Sequence, residues 1–313
     1  MIRLFLGNRV GVLLLLPIFV IAFHYIHWIT GNELDEISDF GLWGELSFSK
    51  ITSYSWASLF LLTNAIILNY LYNSHQFLDK NSYLISLLYV VTMSFYKAFY
   101  QFDYVLLTHF LFIMMLTQFF ELKQQIDGRK YVFNAFVFIG IAATFQPLLL
   151  FFLPFFIFAL LIFRPFSFRE FSLAIFGFFI PFIYCFSYLW WFEIDRNLSF
   201  EIEMNIFDSS DFIWLIAAYG ILIFVSYFSM RSILQKSSIR LKKQIQVLWL
   251  FVLMGLFLGV LNLLWKQDLN DLSIAMLFLT ILLTYSFLHK TYGLLSAGVF
   301  YICLAYSMLK FFV

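Results

Sequence analysis

The chain has 313 residues, of which 63% are hydrophobic and only 12% are charged, and its mean hydropathy is +0.90. Soluble proteins contain roughly 45–50% apolar residues, and a soluble fold of this size could not keep so much apolar surface away from water. The net charge of +1 provides no broad basic surface, which excludes a nucleic-acid-binding protein. The composition predicts an integral membrane protein.

Apolar runs long enough to cross about 30 Å of hydrocarbon recur along the chain. The first continues to Trp28 without the small-residue site at which a signal peptide is cleaved, so we interpret it as an uncleaved span. Eleven runs are predicted as spans: 10–30, 53–72, 83–97, 104–120, 132–146, 148–163, 171–192, 212–230, 245–265, 272–288 and 293–310.

These runs predict an all-α fold, a polytopic transmembrane helix bundle of about eleven spans. Only Gln146-Pro147 separates the runs 132–146 and 148–163, so a kinked span with a re-entrant piece is the alternative there. Without a soluble module, linker or repeat, residues 1–313 are predicted to form one membrane domain.

The placement of basic residues predicts the orientation of the chain. With the N-terminus in the cytoplasm and the C-terminus outside, alternation through eleven spans places 14 of the 18 acidic residues outside. The same alternation places 14 of the 19 Lys and Arg residues inside: Arg3, Arg9, Lys80, Lys123, Arg129, Lys130, Arg164, Arg169, Arg231, Lys236, Arg240, Lys242, Lys243 and Lys290. We expect a multi-pass protein of the cytoplasmic (inner) membrane.

The two long outer segments, residues 31–52 and 193–211, are both acidic. Apolar residues lie between their charges, which is typical of short helices on a membrane surface. No acidic residue lies in the middle of a predicted span, whereas ion-coupled transporters usually need such carboxylates. Any chemistry is therefore expected at the outer face.

Three successive outer connections carry candidate residues, namely Asp35-Glu36, Asp103 and Gln146-Pro147. A carboxylate at this face could take a proton from a hydroxyl, and two carboxylates could hold a divalent cation. Structural roles are the alternatives: Asp103 as a helix N-cap, Asp35 and Glu36 as solvated loop residues, and Gln146-Pro147 as a helix break. Lys97 and His109 could bind a phosphate, or could instead serve packing and snorkelling.

The order of these features resembles the GT-C superfamily of membrane glycosyltransferases, which use polyprenyl-phosphate-linked sugars. The resemblance covers residues 10–165, with outer loop 31–52, and leaves the C-terminal spans 166–313 outside it. It implies catalytic roles for Asp35 and Glu36 in the first outer loop. It implies donor or metal binding by Asp103, the second outer carboxylate, and places Gln146 where many members have a basic residue. With Lys97 and His109, these are the expected donor-binding or metal-binding residues, and Asp103 is expected to hold a divalent cation, Mg²⁺ or Mn²⁺.

The whole chain also resembles a Phe-rich multi-pass membrane family of Bacteroidota, which implies no function. The expected function is therefore a GT-C-like glycosyltransferase acting on a lipid-linked sugar at the outer face. A non-catalytic membrane subunit of an envelope assembly is the main alternative, and a lipid or small-molecule transporter is the third. Membrane lipids and a polyprenyl-phosphate sugar are the expected partners, and nucleic acid is not.

Overall fold

A computed structural model of the chain describes residues 2–7, 9–30, 37–78, 80–122, 127–194, 210–266, 268–288 and 293–309. Two 3₁₀ segments, Val10–Leu15 and Pro147–Phe152, lead directly into the α-helices Leu16–Ile29 and Leu153–Phe163. The elements are α1 (Ile2–Phe5), α2 (Leu16–Ile29), β1 (Ile37–Asp39), β2 (Glu45–Ser47), α3 (Lys50–Ser74), α4 (Leu84–Met93), α5 (Tyr104–Glu121), α6 (Arg129–Phe145), α7 (Leu153–Phe163), α8 (Phe168–Trp191), α9 (Ser210–Lys236), α10 (Ile239–Lys266), α11 (Leu272–Leu288) and α12 (Gly293–Leu309).

The predicted helical fold is confirmed. Among the described residues, five helices are long and apolar enough to cross a membrane: Val10–Ile29, Lys50–Ser74, Tyr104–Glu121, Phe168–Trp191 and Ile239–Trp265. The predicted run 83–97 is shorter as a helix, because α4 ends at Met93. Its 10 residues extend over about 15 Å, half of the hydrocarbon thickness. By itself α4 is too short to cross a bilayer.

Two helices form the centre of the bundle. All ten residues of α4 are buried, and so is almost the whole length of α11. A helix that is apolar on every side and buried on every side belongs to a core. By contrast, α2 and α8 expose large apolar side chains along one face, including Ile21, Tyr25, Phe176 and Ile183. These faces have the composition of a surface that contacts lipid.

A pair of glycines brings α10 into close contact with α11. A Cβ atom on Gly255 would lie 2.5 Å from the backbone nitrogen of Ala275. One turn later, a Cβ on Gly259 would lie 3.0 Å from the Cα of Leu272. This small-residue spacing permits the backbones of two membrane helices to approach closely. The contact between Gly259 and Leu272 also positions the first residue of α11.

The basic end is the end of the bundle at which Arg164, Arg240 and Lys243 lie. Arg240 donates to the carbonyl oxygen of Phe120, at the end of α5, at 3.0 Å. Lys243 donates to the carbonyl oxygen of Phe163, at the end of α7, at 3.1 Å. Cations are favourable there because the last carbonyls of a helix carry a partial negative charge and have no partner within the helix.

The segments before and after Gln146-Pro147 run in opposite directions. Arg164, just after α7, packs on Gly128, just before α6, since a Cβ on Gly128 would lie 3.1 Å from the Arg164 Cζ. Gln146 lies at the other end of both segments, which we call the acidic end because Asp39, Asp103 and Asp271 lie there. Two antiparallel helical segments, rather than one kinked span, therefore occupy residues 129–163.

The expectation of a surface helix in the segment 31–52 is wrong for its described part. Residues 37–47 form an antiparallel hairpin, in which Ile37 pairs with Ser47 and Asp39 with Glu45. The connecting 3₁₀ turn begins at Gly41, which has φ +64°. A Cβ on Gly41 would meet the backbone of Phe145 at the end of α6. A glycine is needed both for the left-handed backbone and for this approach.

Candidate functional site

A cavity of about 390 Å³ lies at the acidic end of the bundle. Three connections of the chain line it: the first strand of the hairpin, the segment before and at the start of α5, and the turn before α11. Its lining residues are Ile37, Ser38, Asp39, Lys97, Ala98, Gln101, Asp103, Tyr104, Asp268 and Asn270. We call it the acidic-end cavity, because three carboxylates and one ammonium group line it.

Hydrogen bonds join the hairpin to the segment before α5 and to the end of α6. The Ser38 hydroxyl donates to the carbonyl oxygen of Phe102 at 2.9 Å and accepts from the Gln101 amide at 3.0 Å. The Trp43 indole donates to the hydroxyl of Thr144, near the end of α6, at 3.0 Å. The first, second and third outer connections predicted from the sequence therefore lie next to one another.

Asp103 has a structural role at the start of α5. It is the N-cap of α5, and its Oδ1 accepts from the backbone N–H of Tyr104 at 2.6 Å. An N-cap aspartate satisfies a free amide at a helix start, as the alternative reading of the sequence expects. The half-buried Asp103 also lines the acidic-end cavity, so capping and ligand binding are compatible.

Lys97 is exposed at the start of a 3₁₀ turn, Lys97–Phe99, and lines the same cavity as Asp103. Its ammonium group is the cation of the lining. The backbone N–H of Ala98, within this turn, donates to the Asn270 side chain at 3.2 Å. This hydrogen bond joins the turn to the opposite wall of the cavity, which the turn before α11 forms. Lys97 and Asp103 thus lie on the same wall of the cavity.

His109 is placed elsewhere. It is fully buried on α5, where Nδ1 lies 3.0 Å from the Tyr89 hydroxyl and Nε2 lies 3.2 Å from the Ser273 hydroxyl. The Asn64 amide also donates to Tyr89, at 3.4 Å. This chain of side chains links α3, α4, α5 and α11 inside the bundle. His109 is not a lining residue of the acidic-end cavity, and its contacts favour helix packing.

Gln146 is buried as well, with 1% exposure, and contacts a residue that the sequence did not single out. Its amide donates to one carboxylate oxygen of Asp271. The Tyr104 hydroxyl donates to the other oxygen of Asp271 at 2.8 Å. Asp271 has 0% exposure, in the turn before α11. In the sequence, Asp271 is one of several acidic residues that lie next to a predicted span on the predicted outer side.

The predicted catalytic residues Asp35 and Glu36 lie outside the described residues. The next residue, Ile37, lines the acidic-end cavity. Within the described ranges, no three His, Cys, Asp or Glu side chains lie together as a metal site. The described lining therefore does not by itself provide a set of three ligands for the expected Mg²⁺ or Mn²⁺.

Asp39 and Asp268 also line the cavity, although neither was a predicted site residue. The available signal was their position beside spans on the same predicted side as Asp103. The chain matches no protein-family model, no curated protein and no solved structure. The functional conclusion therefore depends on the geometry of the acidic-end cavity.

Proposed function

We propose that the protein is a GT-C-like glycosyltransferase of the inner membrane that acts at its outer face on a polyprenyl-phosphate-linked sugar. The acidic-end cavity is the observation that carries this proposal. It combines the Lys97 ammonium with carboxylates of three connections, Asp39, Asp103 and Asp268, at one end of an apolar bundle. A lipid-linked substrate needs this placement, since its chain lies in the bilayer and its headgroup lies at the boundary.

The proposed reaction forms a bond between the acceptor oxygen and the anomeric carbon of the sugar. The bond between that carbon and the phosphate oxygen breaks, and polyprenyl phosphate leaves. A carboxylate, Asp35 or Glu36, takes the proton of the acceptor hydroxyl. Lys97 is suited to the charge on the leaving phosphate, and Asp103 is suited to hydrogen bonds from sugar hydroxyls.

Consumption of the donor tests the proposal directly. The purified protein in lipid nanodiscs is incubated with polyprenyl-phosphate hexoses, and released polyprenyl phosphate is measured with and without EDTA. We expect release with the protein present, and inhibition by EDTA if Mg²⁺ or Mn²⁺ is required. Release that does not exceed that of empty nanodiscs, across a panel of sugars and acceptors, would favour the non-catalytic envelope subunit.

The proposed sidedness places the acidic end outside and the basic end in the cytoplasm, with eleven spans. The segment 231–243 supports this orientation, because it carries Arg231, Lys236, Arg240, Lys242 and Lys243. Moving one unpaired Lys or Arg into the membrane costs about 2.5–3.5 kcal/mol by insertion scales. Basic segments of this kind are retained in the cytoplasm.

Reporter fusions provide the corresponding prediction. A reporter that is active only outside the cytoplasm is expected to be inactive when inserted at Ser237. It is expected to be active at Ser199 or after Val313, and the readout is reporter activity relative to the amount of fusion protein. Activity at Ser237 would contradict the orientation, and activity at all three positions would contradict the span count.

A further inference from the structure

Asp271 is the most completely buried carboxylate near the acidic-end cavity, and both of its oxygens accept hydrogen bonds. The Tyr104 hydroxyl donates to Oδ1 at 2.8 Å, and the Gln146 amide donates to Oδ2. Tyr104 and Gln146 are 167 and 125 residues away in the chain. Burial of a carboxylate is costly unless such bonds replace its hydration, so the contacts are specific features of the fold.

We propose that Asp271 is a positioning residue of the acidic-end cavity. By accepting hydrogen bonds from the lining residue Tyr104 and from the buried Gln146, it clamps the start of α5 and the end of α6 to the turn before α11. Tyr104 is the first residue of α5 and directly follows Asp103, and both line the cavity. Asn270, which directly precedes Asp271, lines the opposite wall. The clamp therefore fixes the distance between the two walls. Its effect on transfer rests on the proposed function, but its effect on the cavity does not.

Two substitutions of Asp271 test whether the cavity depends on its hydrogen bonds or only on the presence of a side chain there. In Asp271→Leu a larger apolar side chain still fills the site, but the Tyr104 hydroxyl and the Gln146 amide lose their acceptor inside the protein. In Asp271→Asn the side-chain oxygen can still accept from Tyr104. The Gln146 amide can rotate so that its oxygen accepts from the new NH₂ group. We therefore expect Asp271→Leu to disturb the cavity and Asp271→Asn to preserve it.

Exchanging the amide of Gln146 and the carboxylate of Asp271 between the two positions gives a sharper test. Gln146→Glu alone places a second carboxylate against Asp271, and like charges at this range repel. The double variant Asp271→Asn/Gln146→Glu restores one amide and one carboxylate in reversed positions. We expect the single variant to be defective and the double variant to recover, since only the pairing, and not either residue alone, is required.

The cavity can be measured without any transfer activity. Lys97→Cys, in a background with Cys185→Ala and Cys303→Ala, provides one thiol in the lining, and its reaction rate with a membrane-impermeant methanethiosulfonate is followed. Asp271→Leu and Gln146→Glu should each change this rate by about fivefold or more. Asp271→Asn and the double variant should stay close to the parent. The matched control is Asp127→Asn, at the exposed start of α6, which should leave the rate unchanged.

The melting temperature of each variant is measured alongside its reaction rate, by tryptophan fluorescence during thermal unfolding. An unchanged rate in Asp271→Leu with an unchanged melting temperature would overturn the proposal. A double variant no better than Gln146→Glu would also overturn it, because independent defects add. If wild-type protein shows no transfer but the rates follow this pattern, the proposed function fails and the clamp stands. If transfer occurs and all rates are alike, the clamp fails and the function stands.

Discussion

Asp103→Asn is expected to remove transfer activity while the protein stays folded and inserted. Asparagine keeps the side-chain oxygen that accepts from the Tyr104 amide, and Asn is as good an N-cap as Asp, so α5 should keep its start. The substitution removes one of the three carboxylate charges that line the acidic-end cavity. Loss of one electrostatic contact to a reacting group typically costs about 100-fold or more in rate. The measurement is the rate of polyprenyl phosphate release in nanodiscs.

Asp127→Asn is the matched control, because Asp127 is an aspartate beside a helix start at the opposite end of the bundle. Its Oδ1 accepts from the backbone N–H of Arg129 at 3.1 Å, just as Asp103 accepts from Tyr104. We expect Asp127→Asn to be silent in the release assay. Full activity for Asp103→Asn, Asp35→Asn and Glu36→Gln would contradict a catalytic role for the outer carboxylates.

The helical fold was predictable because an apolar run of sufficient length has few alternatives in a membrane. With no water in the hydrocarbon, every backbone group must find a partner within the segment, which a helix provides. Run length is a weaker guide within the protein core. The predicted run 83–97 extends to Lys97, yet the helix ends at Met93 and a 3₁₀ turn starts at Lys97. Contacts with Asn270 in the turn before α11 hold that segment.

The hairpin at residues 37–47 had a local signal that the surface-helix interpretation overlooked. Gly41 and Gly44 enclose the turn, and glycine pairs between short strands are typical of hairpins. Asp103 and Lys97 were predictable for the cavity because they lie beside a predicted span, in a predicted outer connection. Asp271 has the same position beside α11, but its complete burial depends on Tyr104 and Gln146, which are distant in the chain. Only the tertiary structure separates the fully buried Asp271 from the half-buried Asp268 three residues earlier.

Gly255→Leu is expected to have the largest effect on stability. Its new Cβ would lie 2.5 Å from the nitrogen and 2.7 Å from the Cα of Ala275, and backbone atoms cannot move aside as a flexible side chain can. The two helices would have to separate, although α11 is buried along almost its whole length. Overpacking usually costs 1–3 kcal/mol, and a backbone contact places this variant at about 3 kcal/mol or more.

The matched control is Gly298→Leu on α12, where an added Cβ would meet no atom within 4 Å. Both substitutions add the same apolar volume to a membrane helix, so they differ only in what surrounds the glycine. We expect Gly255→Leu to lower the melting temperature and expose the chain to protease, while Gly298→Leu behaves as wild type. Because α10 sets the position of the start of α11, Gly255→Leu should also raise the reactivity of Lys97→Cys. An equal effect of the two substitutions would contradict the close packing of α10 on α11.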